Sequence, residues 1–277
     1  MPNPLFGFDN FGSRRVSVTD IQKAKLTGRH WPALTCYDAL TAAVFDDAGI
    51  PVMLVGDSAA MVVYGHSSTL PVSMDELIGL TAAVVRGSSR AMIIADMPFG
   101  SYQESVPQAL HNATRFMKEA GAHAVKLEGG RHVLAQVEAL VAAGIPVMGH
   151  LGLTPQSVHA LGGYRVQGRG EAGDVLKADA KALAAVGAFG LVLEAVPASL
   201  AAEVTAMLDI PTVGIGAGAD TDAQILVWQD LVGLSPDPAP KFVKRYADMR
   251  SVLSEAVHTW SDEVCAGTFP DVEHQYI

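Results

Sequence analysis

Six ionisable residues in this sequence have the chemical types needed for a metal-assisted active site, and each lies at the end of a short apolar run. They are Asp57, Asp96, Lys126, Glu128, His150 and Glu194. Carboxylate oxygens are the ligands that Mg²⁺ prefers, and a carboxylate or imidazole can transfer a proton. Four carboxylates exceed one lysine and one histidine in charge, so a hard divalent cation would compensate them.

The apolar runs have the length and composition of buried β-strands. We predict these eight: Ala33–Tyr37, Val52–Gly56, Ala91–Ala95, Ala124–Leu127, Pro146–Gly149, Gly190–Leu193, Thr212–Ile215 and Ile225–Leu231. The last is the weakest, because Trp228, Gln229 and Asp230 interrupt its apolar pattern. Stretches with helical apolar spacing separate the strands, and this alternation is typical of a parallel sheet.

The number of strand–helix units predicts the fold class, an α/β protein with a (β/α)8 TIM barrel. Eight units in 277 residues favour a closed barrel over an open doubly wound sheet. The first strand lacks a following G-x-G-x-x-G, which weakens the nucleotide-binding alternative. Without a linker-like stretch, we predict one domain over residues 1–277, with an N-terminal arm (1–18) and a C-terminal helix and tail (241–277). The carboxyl ends of the strands would bring the ionisable residues to one mouth.

Helix boundaries are also predicted by local signals. Ser73 and Glu76 fit a capping box, and Thr154 followed by Pro155 fits a helix start. Gly121 and Gly144 stand where helices should stop. One apolar stripe is formed by Ala109, Leu110, Ala113, Phe116, Met117 and Ala120; helical spacing after Lys241 is formed by Phe242, Tyr246, Met249, Leu253 and Val257.

Each candidate residue also has a purely structural interpretation. Asp57 or Asp96 alone could cap a helix or form an Asx turn. Lys126 could be an ion-pair partner of Glu128, and a single histidine such as His150 is more often part of a core. The glycine-rich segment 214–218 could be only a tight turn, although it would suit backbone approach to an anion.

Composition limits the classes of function. Hydrophobic residues make up 49% and charged residues 17% of the chain, so a sizeable core is available. A net charge of −10 disfavours nucleic acid and anionic membranes as partners. The two cysteines, Cys36 and Cys265, suggest neither a disulfide framework nor a zinc site. Residues 1–15 lack the apolar segment of a secretory signal, and residues 50–63 are too short to span a bilayer, so we expect a cytoplasmic protein.

Several motifs resemble the ketopantoate hydroxymethyltransferase family over roughly residues 19–250. The resemblance is carried by Leu34-Thr35-Cys36-Tyr37-Asp38, Val55-Gly56-Asp57-Ser58, Ala95-Asp96-Met97-Pro98-Phe99, Val125-Lys126-Leu127-Glu128-Gly129-Gly130, Gly149-His150-Leu151-Gly152-Leu153-Thr154-Pro155-Gln156, Leu193-Glu194, Gly214-Ile215-Gly216-Ala217-Gly218 and Pro240-Lys241-Phe242-Val243-Lys244. These motifs occur in order along the whole predicted barrel.

The resemblance implies a reaction and a set of roles. Family members condense 3-methyl-2-oxobutanoate with 5,10-methylenetetrahydrofolate, giving 2-dehydropantoate and tetrahydrofolate, the first step toward pantothenate and coenzyme A. The site would hold one Mg²⁺ on Asp57 and Asp96, with Glu128 acting directly or through water. The oxo acid would be bound by Asp57, Ser58, Asp96, Lys126 and His150, and Glu194 would be the catalytic base. The resemblance also implies a homodecamer built from two rings of five.

Two other functions remain open at this point. Another magnesium-dependent barrel enzyme, such as an isocitrate-lyase-like carbon–carbon lyase, would share the metal chemistry. Such an enzyme would have a catalytic cysteine near the mouth, for which Cys36 and Cys265 are badly placed. A non-catalytic oligomeric scaffold would not need carboxylates at the strand ends. Oxygen ligands also do not separate Mg²⁺ from Mn²⁺, Co²⁺ or Ni²⁺.

Overall fold

The computed structural model describes residues 4–8 and 14–276, and its chain divides into two compact units, Met1–Val227 and Trp228–Ile277. The first unit contains a closed barrel of parallel strands in sequence order. The strands are β1 (Trp31–Thr35), β2 (Val52–Val55), β3 (Met92–Asp96), β4 (Ala124–Glu128), β5 (Val147–Gly152), β6 (Gly190–Glu194), β7 (Thr212–Ile215) and β8 (Ala223–Leu226). The predicted (β/α)8 TIM barrel is therefore confirmed.

Helices connect the strands around the barrel. They are α1 (Val18–Leu26), α2 (Ala39–Ala48), α3 (Ala59–Val62), α4 (Met74–Gly87), α5 (Val106–Arg115), α6 (Leu134–Ala142), α7 (Glu171–Ala185) and α8 (Ala198–Met207). A π-helical turn, Phe116–Ala120, continues α5, and short 3-10 helices cover Arg131–Val133 and Pro155–Ser157. The second unit contains α9 (Trp228–Leu231), α10 (Met249–Ala266) and a 3-10 turn, Val272–His274.

The predicted helix signals have different outcomes. The capping box at α4 is confirmed, because the Glu76 N–H donates to Ser73 Oγ at 3.3 Å and Glu76 Oε2 accepts from the Ser73 N–H at 2.7 Å. Gly121 and Gly144 both adopt the left-handed conformation directly after or near a helix end. Thr154-Pro155 begins only a single 3-10 turn, and the long helix after β5 starts at Glu171 instead.

The prediction for the eighth strand was displaced along the chain. β8 covers Ala223–Leu226 and pairs with Trp31–Leu34 of β1, which closes the barrel. Residues Trp228–Leu231, assigned to the strand from sequence, form the short helix α9. The apolar side chains of Trp228 and Leu231 are three residues apart, which is a helical spacing that a short apolar run conceals.

Part of the N-terminal arm fills the barrel interior. Leu5, Phe8 and Val16 are buried in one cluster with inward-facing residues such as Trp31 and Val52 at the strand starts. This burial plugs the barrel at the end away from the polar residues. α1 begins at Val18, where the predicted arm ends; residues 1–3 and 9–13 of the predicted arm lie outside the described part of the chain.

The second unit confirms a C-terminal helix, but it starts later than the spacing after Lys241 indicates. Asp248 caps α10, and its carboxylate accepts from the Ser251 N–H at 3.1 Å and from Ser251 Oγ at 2.7 Å. Phe242 and Tyr246 therefore precede the helix. In residues 4–8 and 14–276, no helix combines the length and apolar character required to cross a bilayer.

Candidate active site

The polar residues predicted for the barrel mouth are placed by five neighbouring segments of the barrel. Asp57 follows β2 by two residues, and Asp96 and Glu194 are the last residues of β3 and β6. The structure brings together Asp57, Asp96, Lys126, Glu128, His150 and Glu194 through a continuous set of contacts. His150 does not end its strand as predicted, because β5 continues to Gly152.

The end of β5 is held close to β6 by a glycine. Gly152 pairs with Glu194 in the strand register, and its φ is +94°. A Cβ at Gly152 would collide with the backbone oxygen of Glu194. Glycine is therefore required here, and it allows Glu194 to reach the mouth beside His150.

Lys126 is the central cation of the site. Its Nζ lies 2.9 Å from Asp96 Oδ1, 3.9 Å from Glu128 Oε1 and 3.2 Å from His150 Nδ1. The residue is buried, which alone would lower its pKa, but the charges of Asp96, Glu128 and Asp57 outweigh burial and raise the pKa of Lys126 above its ordinary value. The ammonium therefore stays charged at neutral pH.

His150 joins two carboxylates on opposite sides of its ring. Nδ1 lies 3.2 Å from Glu128 Oε1, and Nε2 lies 3.3 Å from Glu194 Oε2. Burial and the Lys126 charge lower the pKa of His150, but the contacts with Glu128 and Glu194 outweigh them and raise it to about 9. His150 is therefore a buried histidine whose two ring nitrogens both lie beside carboxylates.

Asp57 and Asp96 are buried next to each other. The Asp57 N–H donates to Asp96 Oδ2 at 3.1 Å. Burial raises the pKa of Asp57 well above its ordinary value, and the charges of Asp96 and Glu128 raise it further. Burial also raises the pKa of Asp96, with Lys126 opposing the shift. Neither side chain caps a helix: α3 has Ser58 at its N-cap, and Asp96 remains within β3.

Glu128 is stabilised as a carboxylate despite its burial. Burial by itself would raise its pKa, but contacts with His150, the charge of Lys126 and the Gln156 N–H lower it. The Gln156 N–H donates to Glu128 Oε2 at 3.0 Å. Lys126 Nζ lies 3.9 Å from Glu128 Oε1 but 2.9 Å from Asp96 Oδ1. The Lys126–Glu128 ion pair, considered from sequence as a structural alternative, is therefore the weaker of the two contacts.

Ser58 and the glycine-rich segment lie at the same ends of the strands. Ser58 Oγ is 2.7 Å from the hydroxyl of Tyr37, a buried residue that follows β1. The segment 214–218 begins with the last two residues of β7 and continues beyond it, and Gly218 has a φ of +82° with Ala198 only 2.5 Å from the position of a Cβ. A tight turn against α8 therefore explains Gly218 without a ligand.

Sequence reasoning assigned no role to two buried residues of the site, Gln156 and Tyr102. Gln156 Nε2 donates to Asp57 Oδ2 at 3.0 Å, and Gln156 Oε1 accepts from the Tyr102 hydroxyl at 2.7 Å. Both come from segments without periodicity, the loop after β3 and the 3-10 turn after β5. The only available signal was Gln156 as a polar residue directly after Thr154-Pro155, close to a strand end.

The donor set fits a hard divalent cation held by few protein ligands. Asp57, Asp96 and Glu128 offer only oxygens, and their charges outnumber Lys126. Within the described ranges, no three acidic, histidine or cysteine side chains are arranged to hold a metal directly. Mg²⁺ commonly uses one or two carboxylates and keeps several other positions for water or substrate. A small set of buried carboxylate oxygens agrees with that preference.

A cysteine nucleophile is not supported at this mouth. Cys36 follows β1 and is buried, and burial raises its pKa to about 12. Its thiolate would be scarce at neutral pH. The other cysteine, Cys265, lies in the second unit, and both are free thiols.

The barrel and the charged groups at its carboxyl end define an enzyme of the TIM-barrel class. The chain belongs to the ketopantoate hydroxymethyltransferase family, whose model matches residues 15–272. It is 65% identical over 262 residues to the 3-methyl-2-oxobutanoate hydroxymethyltransferase of Frankia alni, covering 95% of this chain and 86% of that one. The enzyme of the same name from Thermobifida fusca is 63% identical over 265 residues, with 95% and 94% covered. The chain is accordingly a transferase.

Solved structures with low sequence identity share the fold. Phosphoenolpyruvate phosphomutase from Streptomyces platensis subsp. rosaceus has a TM-score of 0.60 at 15% identity, covering 95% of this chain and 92% of that one. A 2,3-dimethylmalate lyase, described as a member of the PEP mutase/isocitrate lyase superfamily, has a TM-score of 0.58 at 15% identity, with 94% and 92% covered. At this identity the likeness establishes the architecture only.

Proposed function

We propose that this transferase moves a hydroxymethyl group from 5,10-methylenetetrahydrofolate to 3-methyl-2-oxobutanoate, giving 2-dehydropantoate and tetrahydrofolate. The names of relatives at up to 65% identity support the reaction. The observation that carries it is the burial of three carboxylates, Asp57, Asp96 and Glu128, around the single ammonium of Lys126 at the barrel mouth. The product would enter the pathway to pantothenate and coenzyme A.

The proposed cation is one Mg²⁺, with Asp57 and Asp96 as its protein ligands and Glu128 contributing directly or through water. Bound there, it would supply Lewis-acid stabilisation of negative charge at the keto oxygen of the substrate. The oxygen-only donor set and the excess of buried negative charge support this assignment. Mn²⁺, Co²⁺ and Ni²⁺ are chemically compatible with the same oxygens.

Lys126, Ser58 and His150 are the proposed residues that bind the oxo acid, together with the two aspartates. Lys126 has a charged amino group between Asp96 and His150, from which it can contact an anionic substrate. Ser58 offers a hydroxyl oriented by Tyr37. The resulting positive potential at the substrate would stabilise the charge that develops in the transition state.

Glu194 is the proposed base. Removal of the proton from C3 of the oxo acid breaks the C3–H bond, moves the proton to a Glu194 oxygen and leaves the electron pair delocalised onto the keto oxygen. That electron pair then forms the carbon–carbon bond to the methylene carbon as its bond to one folate nitrogen breaks. A water oxygen then replaces the second folate nitrogen on the same carbon and becomes the hydroxyl group. The two nitrogens of tetrahydrofolate take up one proton from Glu194 and one from the water. The Glu194 side chain is 18% exposed, whereas Lys126, His150 and the other carboxylates of the site are buried, and partial exposure suits a group that meets substrate.

The alternative role for Glu194 is to orient and charge-balance His150, and the 3.3 Å contact between them is consistent with it. In that case the proton would pass to a water beside His150 or to the neutral form of His150, which a pKa of about 9 makes the minor form at neutral pH. Replacing Glu194 by Gln has different consequences in the two roles, because only a base is needed for exchange of the C3 proton.

We further propose a cytoplasmic homodecamer whose subunits use the C-terminal helix as an interface element, with residues 1–277 acting as one domain. The family resemblance implies the assembly. An exposed stripe on α10 supports it: Leu253, Val257, Trp260 and Val264 recur at helical spacing. Unpartnered apolar stripes of this kind are typical of association surfaces.

The reaction is tested with the purified full-length chain. It is incubated with 3-methyl-2-oxobutanoate, 5,10-methylenetetrahydrofolate and MgCl2, and 2-dehydropantoate is measured by mass spectrometry. Omission of the folate and addition of EDTA are the controls, and each should abolish product. Cleavage of a 2-hydroxy acid such as isocitrate, without the folate-dependent condensation, would instead support a carbon–carbon lyase.

A further inference from the structure

A buried amide, that of Gln156, contacts the carboxylate cluster through two separate groups. Its side-chain Nε2 donates to Asp57 Oδ2 at 3.0 Å, and its backbone N–H donates to Glu128 Oε2 at 3.0 Å. The residue is only 5% exposed. It lies in the 3-10 turn that follows β5, so one turn of the chain fixes oxygens that belong to β2 and β4.

Every hydrogen-bonding position of the Gln156 amide is used. The second Nε2 hydrogen goes to the Met97 carbonyl at 2.9 Å, directly after Asp96. Oε1 accepts from the Tyr102 hydroxyl at 2.7 Å and from Gln103 Nε2 at 3.2 Å. A flipped amide would place its oxygen against the Asp57 carboxylate and the Met97 carbonyl, which only accept. The surroundings therefore determine one orientation of the amide.

Tyr102 determines that orientation from the other side. It is buried, and its oxygen accepts from the Glu128 N–H at 3.1 Å. The hydroxyl has a single hydrogen, and the Gln156 Oε1 at 2.7 Å is closer than the Glu128 carbonyl at 3.1 Å. Hydrogen bonds therefore run in one direction from the Glu128 N–H through Tyr102 and Gln156 to Asp57, and such chains strengthen each member.

We propose that Gln156 and Tyr102 are positioning residues that hold the Asp57 carboxylate ready for a divalent cation. One Asp57 oxygen is held by Gln156 Nε2, and the other is left for the metal. Without this bond, Asp57 would face the negative charges of Asp96 and Glu128 with no neutral donor to orient it. Outer hydrogen-bond partners of metal ligands typically change metal affinity by about 10–100-fold. The inference rests on the metal site of the proposed function.

The test measures Mn²⁺ binding to the full-length chain by electron paramagnetic resonance, without substrate or turnover. Gln156→Leu should weaken Mn²⁺ binding by about 10–100-fold. Tyr102→Phe should also weaken Mn²⁺ binding, but by less, because the hydrogen bond from Gln156 Nε2 to Asp57 remains. The double variant should bind no more weakly than Gln156→Leu alone, because both substitutions interrupt one chain of hydrogen bonds.

Gln136→Leu is the matched control. Gln136 is also a buried glutamine, and its Nε2 donates to the Tyr102 carbonyl at 3.3 Å rather than to a carboxylate. This variant should melt at a lower temperature yet bind Mn²⁺ like the wild type. If Gln156→Leu does not fold, Tyr102→Phe is the variant to compare with the wild type. It should fold, because it removes only the hydroxyl oxygen and keeps the aromatic ring.

The outcomes separate the inference from the function on which it rests. If folded Gln156→Leu binds Mn²⁺ as tightly as the wild type does, the positioning role is overturned and the proposed metal site is left intact. If Gln156→Leu does not fold, wild-type affinity in Tyr102→Phe has the same meaning. Wild type that binds no Mn²⁺ overturns both. Saturating Mg²⁺ should also restore most of kcat in Tyr102→Phe, because positioning affects metal occupancy and not proton transfer.

Discussion

Asp96 and Lys126 are register partners in the parallel pair β3–β4, and their side chains form an ion pair of 2.9 Å in the barrel interior. The pair places a positive charge at the centre of three buried carboxylates. Because a buried charge without a partner is unfavourable, the removal of either residue affects both stability and substrate binding.

Replacement of Lys126 by Met tests this arrangement. The free energy of unfolding should fall by about 3–5 kcal/mol, because the carboxylates lose their internal cation. Addition of Mg²⁺ should recover part of the loss, since the metal replaces the missing charge. Urea unfolding with EDTA and with MgCl2 measures both effects. Lys177→Met, which removes a half-buried surface lysine paired with exposed carboxylates, should change the free energy of unfolding little. Equal stability of Lys126→Met and wild type would contradict the prediction.

Asp57→Asn separates metal binding from folding. The pKa of Asp57 is raised in the folded protein, so without metal its stabilising effect is present at low pH and is lost as pH rises through the folded pKa. The metal-free variant should therefore melt at or above the wild-type temperature at pH 8, while losing most metal-dependent activity. Calorimetry with EDTA and a turnover assay at low Mg²⁺ measure these. Normal turnover of Asp57→Asn at low Mg²⁺ would refute the ligand assignment.

Glu194→Gln tests the base. Gln keeps the shape of the side chain and cannot accept the proton, so kcat should fall by about 10²–10⁴-fold. Binding of the oxo acid and Mg²⁺ should persist, because the proposed contacts lie on other residues. Exchange of the C3 proton of 3-methyl-2-oxobutanoate with deuterium, followed by NMR without folate, isolates the step. Exchange at the wild-type rate would assign proton transfer to another group, with His150 the nearest candidate.

Asp46 should control acid stability through a contact remote from the mouth. Burial raises its pKa, but hydrogen bonds from Ala91, Arg90 and Ser89 outweigh burial and lower the pKa overall. The stabilisation is therefore present at neutral pH and is lost as pH falls through the folded pKa. Asp46→Ala should lower the free energy of unfolding by about 3 kcal/mol at pH 7 and by less at acid pH. Urea unfolding at neutral and at acid pH measures the two differences. Asp47→Ala, an exposed neighbour, is the control and should change little.

The stripe on α10 predicts association. Val257→Asp combined with Trp260→Ser should lower the sedimentation coefficient, because both side chains are exposed and apolar in the single chain. Glu255→Gln on another face of the helix should sediment like the wild type. Analytical ultracentrifugation at micromolar concentration measures this, and a monomeric wild type would contradict the proposed assembly.

The sequence alone indicated the barrel and most of its mouth. Buried parallel strands are recognised in a sequence as short apolar runs. A polar residue that ends such a run lies at the carboxyl end of the barrel. Asp96, which follows Ile93-Ile94-Ala95, is an example. Motif resemblance then added the proposed roles of Ser58 and Glu194. The strand boundaries were predicted less well, as the displacement of β8 shows, because the apolar residues Trp228 and Leu231 fit the end of a strand and a short helix alike.

Only the tertiary structure decided which charges meet and what orients them. The preference of Lys126 for Asp96 over Glu128 depends on strand register and side-chain direction, neither of which is encoded in spacing along the chain. Gln156 and Tyr102 approach the carboxylates from non-periodic loops, so no local pattern identifies them. A hydrogen bond between residues 99 positions apart is determined by the closure of the barrel, which brings the ends of distant strands to one mouth.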